Sequence, residues 1–399
     1  MFNPKTAPAS ETTAVPIGED YPEIRASIRA ICKNYPGKYW RELEDTRGYP
    51  EDFVRELTES GYLGALIPET YGGFGLALRA GTVILEEIHA SGCSAATIHA
   101  QMYIMGTVLR HGSEAQKRKY LPEIAAGRLR LQAFGVTEPT TGSDTTQLKT
   151  RAIREGNFYV IDGQKVFTSR ALHSDLMLLL ARTTPANQVK RRSEGLSVFL
   201  VDIRDALSKG MSIRPLDVMV NHHTTEIFLE KVPVPAENLV GQEDQGLRYI
   251  MDGMNAERIL ISGESLGDAQ YFVRRATEYS KSRVVFGIPI GKNQGVQFPI
   301  ARAYAEYRAA DLMSRSAAAL FDAGKPCGAE ANMAKLLASE AAWHAGEACM
   351  QTFGGFAFAR EYDIERKWRE TRLMQIAPIS TNLILSFLGE HVLGMPRSY

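Results

Sequence analysis

A chain of 399 residues exceeds what one simple core sustains, so two or three packed units are expected. Hydrophobic residues at 44% and charged residues at 23% form an ordinary globular balance, and 46 Lys and Arg against 46 Asp and Glu leave none of the basic excess typical of nucleic-acid or membrane-surface proteins. No apolar run approaches the roughly 18 residues of a membrane helix, and the opening MFNPKTAPASETTAVPIGED has neither a secretory apolar core nor an Arg-rich transit character, so a cytoplasmic protein is expected.

Residues 1–19, rich in Pro, Thr and Ser, read as a flexible arm. From 20 to 130 the chain reads as a helical domain: YPEIRASIRAICKNY and PEDFVRELTESGYLG carry helical apolar spacing, and AGTVILEEIHASG closes on a glycine suited to a helix C-terminus. The intervening PETYGGFGLALRAG reads as a loop. From 131 to 243 the pattern turns to strands, with NFYVIDGQKVF read as two strands around an Asp162-Gly163 turn, followed by DLMLLLART, LSVFLVDI and EIFLEKVPVP. Long helical segments return over 244–399. Helix, sheet and helix in separate blocks mean an α+β fold.

Familiar signatures are absent: no GxGxxG, no GxxxxGK[ST] and no HExxH. The four cysteines, Cys32, Cys93, Cys327 and Cys349, have no metal or disulfide spacing, so free thiols and no metal are expected. His222-His223 reads as a loop before a strand, and Lys190, Arg191 and Arg192 as a solvated turn or a phosphate contact.

Polar residues gather at three joints. FGVTEPTTGSD, residues 134–144, offers Thr137, Thr141, Ser143 and approachable glycine backbone where helix gives way to sheet, which suits either a linker turn or a cleft for a large uncharged ring. SRVVFGIPIGKNQGVQF sets Arg283, Phe286 and Gln294 around a Gly/Pro turn, with Arg283 able to meet a pyrophosphate, and MQTFGGFAF adds a glycine pair. A fourth stretch, GMNAERIL, places Glu257 on the helix face of Ile250, Met254 and Ile261.

Taken together, these motifs resemble those of the acyl-CoA dehydrogenases over nearly the whole chain. VTEPTTGSD resembles that family's TEP-x-x-GSD, GQKVFTSRA its strand beside the flavin, RVVFGIPIGKNQ its R-x-x-FG-x-x-x-x-x-x-Q, and QTFGGFAF its Q-x-x-GG-x-G-[YF], with Ala357 standing where glycine is usual. The resemblance implies an N-terminal helical domain, a middle antiparallel β-barrel-like domain and a C-terminal four-helix bundle. It further implies FAD, lined by Phe134, Val136, Thr137, Gly142 and Ser143, with Phe167 and Ser169 near the ring and Ser380 and Asn382 as further contacts. Arg283, Phe286, Gln294, Gln351 and Gly355 match positions that reach the FAD of a neighbouring subunit, so a homodimer or homotetramer is implied. An acyl-CoA substrate, touched by Ser143 and Arg258, and an electron-transfer flavoprotein as acceptor complete the implied set.

The chemistry of that family needs one base to remove a proton α to a thioester. Most members take it from a C-terminal I-Y-E-G-T motif, but RETRLMQIAPISTN aligns there without gaps and puts Ala377, Pro378, Ile379 and Ser380 in place of Y-E-G-T. A minority, the isovaleryl- and long-chain-type enzymes among them, use an x-x-E-R helix motif, which Asn255-Ala256-Glu257-Arg258 matches. Glu257 is therefore read as the base, against the alternative of an ion pair with Arg258; sequence neighbours on a helix do not face each other. Pro378 falls where the family uses a backbone N–H to bind the thioester oxygen, and proline has none, so either Ile379 donates instead or the substrate is held differently. A flavin monooxygenase, a non-oxidative acyl-CoA lyase and a non-catalytic acyl-CoA-binding paralogue are the rival readings. Arg79 faces the acyl pocket or sits at a solvated helix start, while Cys93-Ser94 replaces the glutaryl-type carboxylate-binding arginine.

Overall fold

The structure, a computed structural model, describes residues 17–397. The expected arm lies outside these residues up to residue 16, and Ile17 to Glu19 are exposed. Six helices follow: α1 (Pro22–Cys32), α2 (Gly37–Thr46), α3 (Glu51–Glu59), α4 (Leu78–Ala90), α5 (Ala96–His111) and α6 (Glu114–Ala125). α4 is buried around almost its whole circumference, its charged side chains included: Glu86 and Glu87 pair with Arg25, and His89 meets Asp268. It starts inside the stretch read as loop, because the Asp322 carboxylate accepts from the Leu78 and Arg79 N–H groups at 2.7 and 3.1 Å and so caps it from a distant helix. Gly92, at φ 85°, ends that turn, as expected from the sequence.

The middle strands are β1 (Leu131–Gly135), β2 (Arg151–Glu155), β3 (Phe158–Ser169), β4 (Leu176–Arg182) and β5 (Leu196–Asp202), then, after a short α7 (Ile203–Leu207), β6 (Met211–Pro215), β7 (Thr224–Pro235) and β8 (Leu239–Val240). They form one sheet in the order β6-β7-β3-β2-β4-β5-β8, with β1 beside β4. The β1–β4 and β2–β4 pairings are parallel, so the sheet is mixed rather than antiparallel throughout. β4 is buried on both sides. Leu176, Leu178 and Leu180 pack on Ile104, Met105 and Val108 of α5, while Met177, Leu179 and Ala181 face an inner cluster closed by Tyr159, Ile161 and Ile227. Asp162-Gly163 is no turn: β3 runs through it with a register shift against β7, and the reversal lies at Gly156, φ 61°. A Cβ on Gly163 would stand 2.6 Å from Thr150 Cα, so the bulge needs glycine.

The C-terminal part comprises α8 (Gly246–Ser282), a small hairpin of β9 (Val284–Val285) and β10 (Ile288–Pro289), α9 (Gln294–Asp322), α10 (Gly328–Phe353), α11 (Ile364–Ile376) and α12 (Thr381–Phe387). α8 is the axis of the molecule, packed by α4, α5, α9, α10 and α11. It packs tightly against α4: a Cβ on Gly263 or Gly267 would fall 2.6 or 2.2 Å from the backbone oxygens of Thr82 and Glu86. Near its start Ile250 and Met254 join the cluster under the sheet, and a turn later Ile259 and Leu260 enter the N-terminal helical core. Glu257 lies between the two. Among the described residues no helix is long and apolar enough to cross a membrane.

Candidate active site

Glu257 is 2% exposed, and its Oε2 has no hydrogen-bond partner among the described residues. Burial pushes its carboxyl up to about 7; the charges of His99, Arg258 and Lys335 oppose the shift without cancelling it. The surroundings are more polar than the apolar stripe suggested. α5 presents His99, whose Nδ1 stands 3.1 Å from Glu264 Oε1, and α10 presents the buried Lys335, whose Nζ donates to the Ile379 carbonyl at 2.8 Å. Burial alone would lower the His99 imidazole, but the Glu264 and Glu257 carboxylates outweigh it and hold it above its usual value. Lys335 is brought down to about 8 by desolvation. Arg258 gives Nη1 to Asn255 Oδ1 at 3.0 Å, and no ion pair joins it to Glu257 among the described residues.

One wall beside this carboxylate is aromatic. Tyr103, one turn beyond His99 on α5, meets Phe134 of β1 edge-on, with ring centroids 5.6 Å apart. Val166 N–H donates to the Thr137 carbonyl at 2.9 Å, which draws Val136 and Thr137 alongside the end of β3 that carries Phe167 and Ser169. Phe167 is 63% exposed at φ 57°, Gly142 has open space where a Cβ would point, and Ser143 is exposed. Ser169 Oγ accepts from Asn221 Nδ2 at 2.7 Å. Ser380 Oγ caps α12 through the Leu383 N–H, with Asn382 exposed beside it. Hydroxyls, free backbone and an uncovered aromatic face, with little charge, fit the ring of FAD.

Arg283, Phe286, Gln294, Gln351 and Gly355 form a second group at the opposite end of α8. Arg283 lies over the Phe356 ring at 5.7 Å, Phe286 is fully exposed at the hairpin tip at φ 52°, and Gln294, Gln351 and Gly355 are exposed. Most of α8 separates Glu257 from Arg283, a rise of about 39 Å at 1.5 Å per residue. Arg79 joins neither group. It is buried, not solvated, and its Nε and Nη1 donate to the Glu19 carbonyl and Thr82 Oγ1 at 2.8 and 3.0 Å, tying the entering chain to α4. His222-His223 precedes β7, and Lys190 to Arg192 lie in the loop between β4 and β5. His89, Asp268 and Glu370 converge at ligand spacing, yet Lys367 Nζ sits 2.7 Å from Asp268 and 3.2 Å from His89 Nδ1, where a cation would go.

Reading the sequence alone missed His99, Tyr103, Arg170, Glu264 and Lys335. The available signal was slight: His99 and Tyr103 stand four apart, on one face of α5.

A desolvated carboxyl held near neutrality beside an open aromatic and hydroxyl wall has the chemistry to exchange a proton with a molecule bound against that wall. Family models for the N-terminal, middle and C-terminal domains of acyl-CoA dehydrogenase match residues 18–128, 133–232 and 244–393. The chain belongs to the acyl-CoA dehydrogenase family, whose members are FAD-dependent flavoproteins. An acyl-CoA dehydrogenase of Mycobacterium bovis is 34% identical over 386 residues, spanning 96% of this chain and 98% of its own. The glutaryl-CoA dehydrogenase of Desulfococcus multivorans is 33% identical over 356 residues, 87% of this chain and 90% of its own. A solved glutaryl-coenzyme A dehydrogenase in complex with glutaryl-CoA has a TM-score of 0.88 at 29% identity, covering 94% of this chain and 95% of its own.

Proposed function

We propose that this chain converts an acyl-CoA thioester to its trans-2-enoyl-CoA, with Glu257 removing the α proton and an electron-transfer flavoprotein taking the electrons. FAD, when bound against Phe134, Thr137, Phe167 and Ser169, supplies the acceptor for the β hydride. The observation that carries the reading is the state of Glu257: buried, with Oε2 unpartnered and its pKa pushed up to about 7. Such a carboxyl binds a proton more strongly than a solvated one while still being ionised at neutral pH. Taking up the proton also discharges it, which suits a site where charge is poorly solvated.

Removal of an α proton requires stabilisation of the negative charge that develops on the thioester oxygen. Pro378 offers no N–H there. Among the described residues the Ile379 N–H makes no hydrogen bond, and Lys335 holds the Ile379 carbonyl. We assign the oxyanion donor to Ile379, one residue beyond the family's usual position, with Lys335 as the residue that orients its segment. Val136, Gly142, Ser143, Ser380 and Asn382 extend the FAD surface. Ser143 and Arg258 contact the CoA ester. Arg283, Phe286, Gln294, Gln351 and Gly355 serve the FAD of a second copy in a homodimer or homotetramer, because the length of α8 keeps them from their own. A cytoplasmic location belongs to the same proposal.

Anaerobic addition of short, branched, aromatic and dicarboxylic acyl-CoAs to the FAD-loaded protein tests this. At least one should bleach the flavin rapidly and yield an enoyl-CoA by mass spectrometry. Bound FAD that no acyl-CoA bleaches would contradict dehydrogenation, and oxygen uptake or thioester cleavage would then separate the monooxygenase and lyase readings.

A further inference from the structure

Arg170 follows the last residue of β3 and is 8% exposed. A guanidinium taken out of water normally lies against a carboxylate, since an unpaired buried charge costs several kcal/mol. Arg25 has Glu86 and Glu87, and Arg366 has Asp363 and Glu370. Arg170 has none. Its Nη1 donates to the amide oxygen of Asn221 at 3.2 Å, its Nε has no partner, and no carboxylate pairs with it among the described residues.

Its position ties it to the candidate active site. The Tyr103 phenol feels the charge of Glu257 and, with opposite sign, that of Arg170; His99, a turn away on α5, feels both as well as Glu264. Arg170 directly follows Ser169, both bond to Asn221, and Tyr103 meets Phe134 of the neighbouring wall, which sets the guanidinium at the β3 end of the region that α5 and α8 border. The acid whose charge Arg170 feels, Glu264, already stands 3.1 Å from His99 Nδ1. Those two charges offset each other, which leaves the Arg170 cation uncompensated. Two donors there lack partners, Arg170 Nε and His99 Nε2, both out of contact with water. Leaving a buried donor unpaired is unfavourable, so such a pair signals an acceptor still to come.

We propose that Arg170 anchors a carboxylate at the far end of the acyl group, so that the substrate is the mono-CoA thioester of a dicarboxylic acid. The inference rests on the acyl-CoA reading above and supplies its substrate class. The carboxylate accepts from Arg170 Nε–H and from His99 Nε2–H, with the Tyr103 hydroxyl in reach of the same group. Anchoring the distal end fixes the α carbon against Glu257. The arginine comes from the end of β3, not from the Cys93-Ser94 stretch where glutaryl-type members carry theirs.

The test is calorimetric binding of succinyl-, glutaryl-, adipyl- and pimelyl-CoA to the FAD-loaded protein, each against the neutral acyl-CoA of equal carbon number. One dicarboxylic ligand should bind roughly 10- to 100-fold more tightly than its neutral counterpart, as expected for charge-assisted hydrogen bonds away from water. In Arg170→Met the ratio should fall to near unity, and in Arg170→Lys to an intermediate value; a ratio cancels any general loss of binding. Equal or weaker binding of every dicarboxylic ligand by the unaltered protein would overturn the anchor, as would a ratio that survives Arg170→Met. If Arg170→Met does not fold, the unaltered protein and Arg170→Lys decide. A dicarboxylic preference in binding without flavin bleaching by any acyl-CoA would uphold the anchor and overturn the dehydrogenase reading.

Discussion

Desolvation pushes the Glu257 carboxyl up to about 7, and with the proposed role as base that has two consequences at the scale of the residue. The rate of flavin reduction by substrate should fall as pH is lowered through about 7, where the carboxyl becomes neutral. Stability should move the other way. The folded value lies above the ordinary glutamate value of 4.5, so the folded state binds more protons between the two, and stability falls as pH rises across that window, by up to about 3 kcal/mol. Glu257→Gln should therefore be more stable than the unaltered protein in urea above pH 7 and lose that advantage near pH 4.5; equal stability at both ends would contradict the burial argument. Lys335→Met removes a charge that lowers the Glu257 pKa and releases the Ile379 carbonyl. Its pH midpoint for reduction should rise and its limiting rate should drop by roughly tenfold or more, in line with losing an oriented oxyanion donor; an unchanged profile would remove Lys335 from the site.

At the scale of the element, the contact between α4 and α8 keeps Glu257 in register with α5, and it depends on glycine. Gly263→Val would press a side chain into the Thr82 backbone oxygen, which has little freedom to move. A loss of roughly 3 kcal/mol or more is expected from overpacking, read as an earlier urea midpoint; a shift near zero would show that the helices can part. The same scale explains which elements were legible in the sequence. α1, α3 and β7 follow from apolar period, because each buries a face against a neighbour of the expected kind, whereas β4 and β5 follow from short continuous apolar runs that are buried on both sides. Asp162-Gly163 imitates a hairpin turn, yet pairing with β7 keeps the strand running and makes the glycine a bulge. The start of α4 was hidden because its cap, Asp322, comes from the end of α9. Glu257 was legible because its position on α8 and the E-R pair are local. His99, Tyr103 and Arg170 were not, since only the packing of α5 and the end of β3 beside α8 gives them a common neighbour.

The residues proposed to hold FAD fall in two groups, at opposite ends of one long helix. A single copy sets Phe134 against Tyr103 and leaves Phe286 fully uncovered at the other end. Phe286→Ser and Arg283→Glu should lower the FAD bound per chain and the mass measured by light scattering, with far-ultraviolet dichroism unaltered; full FAD content in both would remove that end from cofactor binding. The central claim, proton removal by Glu257, is tested most directly by anaerobic stopped-flow mixing of FAD-loaded protein with the acyl-CoA that bleaches it best. Glu257→Gln should hold its FAD and bind that ligand, yet bleach at least roughly a thousandfold more slowly than the unaltered protein, as expected when a catalytic base is removed. Bleaching at the unaltered rate would contradict the account, because the proton would then be leaving to another group.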